Sequence, residues 1–452
     1  MARGEDSLKR ILIANRGEIA RRIITTCKQL EIETVAVYSE ADSELPYVKE
    51  ADDAICIGKG PVKDSYLNME KIIEVATNYN VEAIHPGYGL LSENGDFVKR
   101  IEQAGITFIG PNADILTLMG DKISARRAMV EAGVPVVPGS DGGVTSVSEA
   151  IQVAKEIGYP VMLKASGGGG GIGMVLCKNE QELSTSFSKI QSRAKAYFNS
   201  ESVFLEKFIP NARHIEVQIF GDQNGNVIHL YERNCSVQRR NQKVIEETHS
   251  PNLSEQTREK LYEAAKRAAK AVSYTNAGTV EFIVDEAENI YFLEMNTRLQ
   301  VEHPVTERIC GIDLVEWQIK IAKGLEIPLQ QESIKSFGHA IEFRVYAENP
   351  NNFYPSPGKI STLNWGNQTN IRIDSGYEQG NTVTPFYDPL IAKVIVHEEN
   401  REQCLQVARS FFKETKISGI QTNIPLFLHI LENSDFKRGS YSTNLLKQMV
   451  TN

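Results

Sequence analysis

The 452-residue chain is poor in cysteine and has no cysteine pairing pattern. Its six cysteines (Cys27, Cys56, Cys177, Cys235, Cys310, Cys404) lie far apart, with no Cys-x-x-Cys spacing. That excludes a zinc ribbon and a disulfide framework, and fits reduced thiols in a cytoplasmic protein. No run of about 18 apolar residues exists, so no membrane-spanning helix is expected. Met1 to Arg10 is polar and lacks the apolar stretch of a signal peptide. Basic excess is missing as well. The chain has 49 Lys+Arg against 58 Asp+Glu, a net charge of −9, which speaks against a nucleic-acid partner. There is no low-complexity linker and no internal repeat. What remains is an ordinary globular composition, 41% hydrophobic and 24% charged, in a chain whose length suggests about three domains.

Strand patterns alternate with helical ones as far as about residue 120. Lys9–Ala14, Glu33–Tyr38, Val81–Ile84 and Gly105–Ile109 read as strands, and the segments around Ile19–Cys27 and Met69–Ala76 as helices. This alternation predicts an α/β unit with a parallel, doubly wound sheet, where ligands sit beyond the carboxyl ends of strands. Asn15-Arg16-Gly17-Glu18 and His85-Pro86-Gly87-Tyr88-Gly89 lie at two such ends. Asp121–Glu131 reads as a helix, and Pro135–Gly143 as a loop and a boundary. Further on, Val203–Ile209, His214–Ile219, His339–Tyr346 and Leu390–Val396 are strand-like. Ser254–Val272 and Arg401–Lys413 are helical.

Two stretches carry chemistry. The first is Pro160–Ala165, a strand pattern that runs into Ser166-Gly167-Gly168-Gly169-Gly170-Gly171-Ile172-Gly173 before Met174–Leu176 resumes the strand. A P-loop or a dinucleotide turn would open a helix, and this run links two strands. Its exposed N–H groups can cover phosphates, and Lys164 adds a point charge. A flexible linker is the competing reading.

The second is Tyr291–Glu302. Glu294, Asn296, Arg298, Gln300 and Glu302 recur every second residue, so an extended chain would point all five to one face. Such a set can hold a hard cation, hold an anion and supply a base. Thr279–Val284, the turn Asp285–Asn289 and the strand from Ile290 predict a hairpin that brings Glu281 beside Glu294. Facing carboxylates repel unless a cation lies between them, and oxygen ligands suit Mg²⁺. A solvated hairpin face with scattered charges is the alternative.

Four motifs, in order, resemble biotin carboxylase, the ATP-grasp component of biotin-dependent carboxylases. They are Ile13-Ala-Asn-Arg-Gly-Glu-Ile-Ala20, His85-Pro-Gly-Tyr-Gly-Leu-Leu-Ser-Glu-Asn94, Lys164-Ala-Ser-Gly-Gly-Gly-Gly-Gly171 and Glu294-Met-Asn-Thr-Arg-Leu-Gln-Val-Glu-His303. The resemblance implies an N-terminal pre-ATP-grasp domain over residues 1–120. An ATP-grasp domain would follow over 121–330, with a mobile lid at about 137–209, and a C-terminal domain over 331–452. It implies ATP, and Mg²⁺ or Mn²⁺. By match, Lys122, Lys164, Gly168, Gly169, Gly170, Gly171, Glu206, Lys207, Ile209, His214, Gln238, Asn241 and Ile283 would contact the nucleotide. Glu281, Glu294 and Asn296 would hold metal. Lys243, Arg298, Gln300, Val301, Glu302 and Arg344, with Tyr88, would form the bicarbonate and biotin site.

The implied activity is that of a ligase. Glu302 takes the proton of bicarbonate, whose oxygen attacks the γ-phosphate to give carboxyphosphate. CO₂ and phosphate are released from it, the phosphate deprotonates the biotin ureido nitrogen, and Arg344 stabilises the enolate. The sequence departs from the family at Asn234, which is usually Asp, and at Asn241, usually His. Ile172 stands where many relatives carry a basic residue. Asn234 and Asn241 motivate an alternative, a regulatory ATP-binding paralogue without turnover. Another ATP-grasp ligase making an acyl phosphate is a third reading. No Met-Lys-Met biotin attachment motif is present, so biotin is expected on a separate biotin carboxyl carrier protein, with a carboxyltransferase subunit as a further partner. Acetyl-CoA carboxylase, with a role in fatty acid biosynthesis, and pyruvate carboxylase both stay open. Arg22 and its helix match the region where family members form a homodimer.

Overall fold

The computed structural model describes residues 8–165, 174–198, 203–367 and 369–451. The N-terminal alternation folds as predicted. Strands β1 (Arg10–Ile13), β2 (Glu33–Ser39), β3 (Asp53–Gly58), β4 (Ala83–His85) and β5 (Thr107–Phe108) form a parallel sheet in the order β3-β2-β1-β4-β5. The order reverses between β1 and β4, which opens a crevice at their carboxyl ends. The two turns at that crevice are tied together. The Asn15 side-chain amide donates to the carbonyls of Pro86 (2.7 Å) and Tyr88 (2.8 Å). Gly87 there has φ +63, and a Cβ on it would lie 2.8 Å from Asn15 Nδ2, so glycine is needed for the close approach.

Three antiparallel strands follow: β6 (Val161–Ala165), β7 (Met174–Cys177) and β8 (Val203–Lys207), in the order β7-β6-β8. They pack with the helices Val147–Ile157 and Glu180–Phe198 around a small core of their own, including Leu163, Phe187 and Leu205.

The large sheet begins with β9 (Arg213–Gly221), β10 (Val227–Arg239), β11 (Gln242–Thr248), β12 (Asn276–Val284), β13 (Ile290–Asn296) and β14 (His339–Tyr346). After these come β15 (Gly358–Lys359), β16 (Thr362–Asn364), β17 (Ile371–Ser375), β18 (Thr382–Val383), β19 (Leu390–Glu398) and β20 (Lys416–Ser418). Eight of them form one sheet, β13-β12-β9-β10-β11-β14-β19-β17, and two short ribbons pair β15 with β18 and β16 with β20. The expected amphipathic helix spans Glu255–Ala271, is capped by the Ser254 side chain, and buries Leu261, Ala265 and Ala268.

The hairpin forms as predicted, with Glu281 directly opposite Glu294. The extended chain beyond it does not continue. β13 stops at Asn296, and Glu302 is the N-cap residue of the helix His303–Cys310. Pro304 explains the change, because a ring-fixed φ and a missing N–H suit the first turn of a helix.

One buried guanidinium ties this junction to the sheet. Arg233, fully buried, donates to Glu216, to Gln218 (2.8 Å), to Thr279 (3.2 Å) and to Thr306 of that helix (3.0 Å). Arg233→Ala would take one of two cations from the equally buried Glu216 carboxylate and leave Gln218, Thr279 and Thr306 without their donor. It is expected to cost about 3–5 kcal/mol, read as a lowered urea midpoint against wild type.

Candidate active site

A cavity of about 780 Å³ opens where the three sheets meet. Its wall includes the β1 and β4 turns (Asn15, Arg16, Tyr88), the β6 and β8 strands (Lys164, Glu206) and the large sheet (Lys243, Glu281, Arg344). That size and a mixed apolar and charged lining suit a nucleotide-sized ligand. Of the residues singled out from sequence, Tyr88, Lys122, Lys164, Glu206, Lys207, Ile209, His214, Gln238, Asn241 and Lys243 reach it. So do Glu281, Ile283, Glu294, Asn296, Arg298, Gln300, Val301 and Arg344. The reading of Gly168, Gly169, Gly170 and Gly171 as a phosphate cover lies outside the described residues. Lys207 sits in the wall but aims its ammonium away, onto the carbonyls of Gly158 (2.7 Å) and Tyr159 (3.1 Å).

The centre of the wall is a cluster of buried charge. Lys243 donates to Glu216 (2.6 Å), Glu281 (2.8 Å) and Glu302 (2.7 Å). An ammonium has three N–H bonds, and all three end on carboxylates. Burial disfavours the Lys243 charge, but Glu216, then Glu281 and Glu302, hold its proton well above the ordinary lysine range. Arg344 donates to Glu302 (2.9 Å) and ion-pairs with Glu246. Burial alone would raise the Glu302 carboxyl. Lys243, followed by Arg344 and Arg233, outweighs it and holds Glu302 well below the usual carboxylate range. Glu302 is itself fully buried and does not open on the cavity; Lys243 and Arg344 stand between.

Glu281 accepts from four side chains: Lys243, Asn296 (2.9 Å) and Gln300 (3.0 Å) on one oxygen, and His214 (2.8 Å) on the other. Glu294, opposite it, is in a different condition. Burial, then the Glu281 charge, raises its carboxyl, with Lys122 opposing. Two register-paired carboxylates beside an amide oxygen, one of them held up by the other's charge, fit a hard divalent cation.

Arg298 lies at the edge of the cluster. It donates to Glu93 (2.8 Å), Asn296 (3.0 Å) and Gln300 (3.1 Å), which presents its guanidinium toward the cavity. Lys164 pairs with Glu206 on the β6–β8 side. Burial, opposed chiefly by Glu294, lowers the Lys122 ammonium.

Of the three departures, Ile172 lies outside the described residues, and the two asparagines have local explanations. Arg240 (φ +49) and Asn241 (φ +64) form the two-residue turn between β10 and β11, where asparagine tolerates the left-handed backbone. Asn234 is buried and satisfied by Ser250 (3.0 Å) and by the backbone N–H of Ser236 (3.0 Å).

Sequence reasoning missed Glu216, Arg233, Glu93, Glu246, Glu342 and Thr443. The signal for Glu216 was present, since His214-Ile215-Glu216-Val217-Gln218 alternates and puts a carboxylate mid-strand. Nothing local marks Glu93 or Thr443, which arrive from distant parts of the chain.

Comparison with known proteins follows the same outline. Three family models match: biotin carboxylase, N-terminal domain (residues 7–116); carbamoyl-phosphate synthase L chain, ATP binding domain (residues 121–330); and biotin carboxylase C-terminal domain (residues 342–448). The chain is 53% identical over 435 residues to a biotin carboxylase of Halalkalibacterium halodurans, covering 96% of both chains. A biotin carboxylase–beta-gamma-ATP complex from Campylobacter jejuni superposes with a TM-score of 0.96 at 48% identity, covering 98% of this chain and 99% of that one. The Hydrogenobacter thermophilus 2-oxoglutarate carboxylase biotin carboxylase domain, solved as a dimer with MgADP, ADP and bicarbonate, gives 0.95 at 48% identity, covering 98% of each.

Lys243→Gln tests the charge cluster. In the wild type, the depressed Glu302 and Glu281 carboxyls contribute stability that is present above the ordinary carboxylate range. It is lost only as the pH falls through their low folded values. Without the ammonium, burial and mutual repulsion raise them, so the folded variant binds protons more tightly than the unfolded chain. The melting-temperature deficit of Lys243→Gln is therefore expected to shrink as the pH falls from about 8 to about 5.5. Melting curves at both values check it.

Proposed function

The chain belongs to the biotin carboxylase family and catalyses ATP-dependent carboxylation of biotin, and we propose that Lys243, Arg298, Glu302 and Arg344 perform the chemistry. Its fold is that of the ATP-grasp ligases. One observation carries the residue assignment. Glu302 is buried and bridges Lys243 and Arg344, which hold it as a carboxylate screened from water.

Lys122, Lys164, Glu206, His214, Gln238 and Ile283 line the part of the cavity that suits the nucleotide. Glu281, Glu294 and Asn296 would hold Mg²⁺, which neutralises charge on a transferring phosphoryl group. Arg298 would grip bicarbonate through its two-pronged guanidinium, as an arginine does a carboxylate. Glu302 then accepts the bicarbonate proton, and the freed oxygen attacks the γ-phosphate, giving carboxyphosphate and ADP. Carboxyphosphate splits into CO₂ and phosphate, the phosphate takes the ureido proton of biotin, and CO₂ joins that nitrogen. Arg344 faces the enolate oxygen during this step. Burial at the cluster keeps water from the labile acyl phosphate.

The partners are a biotin carboxyl carrier protein and a carboxyltransferase, with a homodimer as the working unit in the cytoplasm. The dimer of the Hydrogenobacter neighbour supports the last reading. Arg22 is buried and committed within the chain to Glu307 (2.7 Å) and Asp313 (2.9 Å), so it shapes the helix Gly17–Gln29 that would face a second copy. A turnover-free regulatory role finds no support: Lys243, Arg298 and Arg344 line one cavity with Glu302 directly behind Lys243 and Arg344, Asn241 fits its turn, and Asn234 is hydrogen-bonded.

Glu302→Gln is expected to lower biotin-dependent ADP release by about 10²–10⁴-fold while ATP still binds. A coupled ADP assay with Mg·ATP, bicarbonate and free biotin measures the first, and nucleotide titration the second. Undiminished release would remove Glu302 as the base.

A further inference from the structure

Behind Arg344, away from the cavity, lie two carboxylates that the reaction does not use. Glu246 on β11 and Glu342 on β14 are directly opposite residues of one antiparallel ladder. Side chains so placed stand on one face, about 5 Å apart at Cβ, and like charges there repel. Both are fully buried. Among the described residues, none of their four carboxylate oxygens has an aligned hydrogen-bond donor. Neither residue reaches the cavity.

The groups facing the pair are Arg344 on β14, Lys243 on β11, Lys393 on β19, Glu302 at the start of the helix His303–Cys310, and Cys235 on β10. Three of these are already committed or neutral. Lys243 is saturated by three other carboxylates. Lys393 serves Glu18 (3.0 Å) and the Val301 carbonyl (3.0 Å). Burial, then the Glu216 charge, keeps the Cys235 thiol protonated. Glu302 adds negative charge. Lys393 acts on Glu342 from a distance, and among the described residues Arg344 is the cation in ion-pair contact with the pair, bound to Glu246 while also serving Glu302. Two register-paired buried carboxylates with one cation in contact, itself shared with Glu302, favour a single negative charge over two.

We propose that Glu246 and Glu342 are a singly protonated carboxylate pair that positions Arg344 for the biotin step, with the proton on Glu342 and the charge on Glu246. This rests on the biotin carboxylase reading. When Glu302 accepts the bicarbonate proton, Arg344 loses one of its two anionic partners. Glu246 then keeps the guanidinium in register while its free N–H bonds face the enolate. The neutral Glu342 acid sets how firmly Glu246 holds. The titration directions agree. Burial, opposed by Arg344, raises Glu246 to about 7, and burial, opposed by Lys393, raises Glu342 well above the usual range.

Two variants test the pair. Infrared spectra of wild type at alkaline pH are expected to show the C=O stretch of a protonated carboxylic acid that disappears in Glu342→Gln. A raised carboxyl binds its proton more tightly in the folded chain, so Glu342→Gln, nearly isosteric, should also gain melting temperature over wild type as the pH rises above the ordinary carboxylate range. Glu246→Gln is expected to lower the biotin-dependent rate tenfold or more beyond any loss in biotin-independent ADP release, roughly the effect of a misplaced group. No acid band in wild type, or a band unchanged in Glu342→Gln, overturns the shared proton. Equal losses of both rates in Glu246→Gln overturn the positioning of Arg344. The infrared arm needs no turnover, so its failure is distinct from a failure of biotin carboxylation.

Discussion

The site depends on an imbalance of buried charge. Glu216, Glu281, Glu302, Glu246 and Glu342 are all nearly or fully buried, and three cations, Lys243, Arg233 and Arg344, are distributed among them. Removing one ion from such a set leaves its partner uncompensated in a medium that solvates charge poorly, so each member holds the others in place. Lys243 and Arg344, which line the cavity, are pre-set by the carboxylates at the geometry that an anionic substrate would meet, and Arg233 braces them from behind through Glu216. That is the arrangement of preorganised dipoles and charges, fixed before the reaction rather than assembled during it. It also leaves Glu294 short of positive charge, a deficit that a divalent cation at the hairpin would relieve.

The fold delivers these groups from separate directions. The large sheet supplies Lys243 from β11, Glu281 and Glu294 from the β12–β13 hairpin, and Arg344 from β14. The β6–β8 unit brings Lys164 and Glu206 across the cavity. The N-terminal sheet contributes the glycine turns at the β1 and β4 ends, and Tyr88 there hydrogen-bonds Glu18, which in turn pairs with Lys393 of β19. A chain of polar contacts thus runs from the first helix, through β19, to the Val301 carbonyl just before Glu302. Glu302 sits at a junction that the N-terminal sheet and the large sheet both help to fix.

Much of this was legible from local pattern. Alternation predicted the parallel sheet, the hairpin opposed Glu281 to Glu294, and the residues Asn296, Arg298 and Gln300 do converge on one cavity. The reason given for that convergence was incomplete. The chain leaves the strand after Asn296, and Pro304 turns it into a helix, so period-two spacing placed Glu302 on the right side by a different geometry. What stayed hidden depends on long-range register. Glu93 joins Arg298 across 205 positions, and Glu246 meets Glu342 only because β11 and β14 pair. A carboxylate inside an apolar strand is visible in sequence, but its partner is not.

Burial of Glu302 sets the order in which the site can work. With Lys243 and Arg344 both against it, the carboxylate is ionised but has little affinity for a proton, which makes it a poor base in the resting site. Its affinity rises only when those cations turn part of their charge toward something else. The anions that can draw them are phosphate oxygens and bicarbonate, and these arrive through the cavity that Lys243 and Arg344 line. On the proposed assignment of Glu302 as the base, arrival of substrate and activation of the base are one event. A water molecule that entered alone would carry no charge to loosen either cation, so the same ion pairs that hold the wall together also discriminate against it.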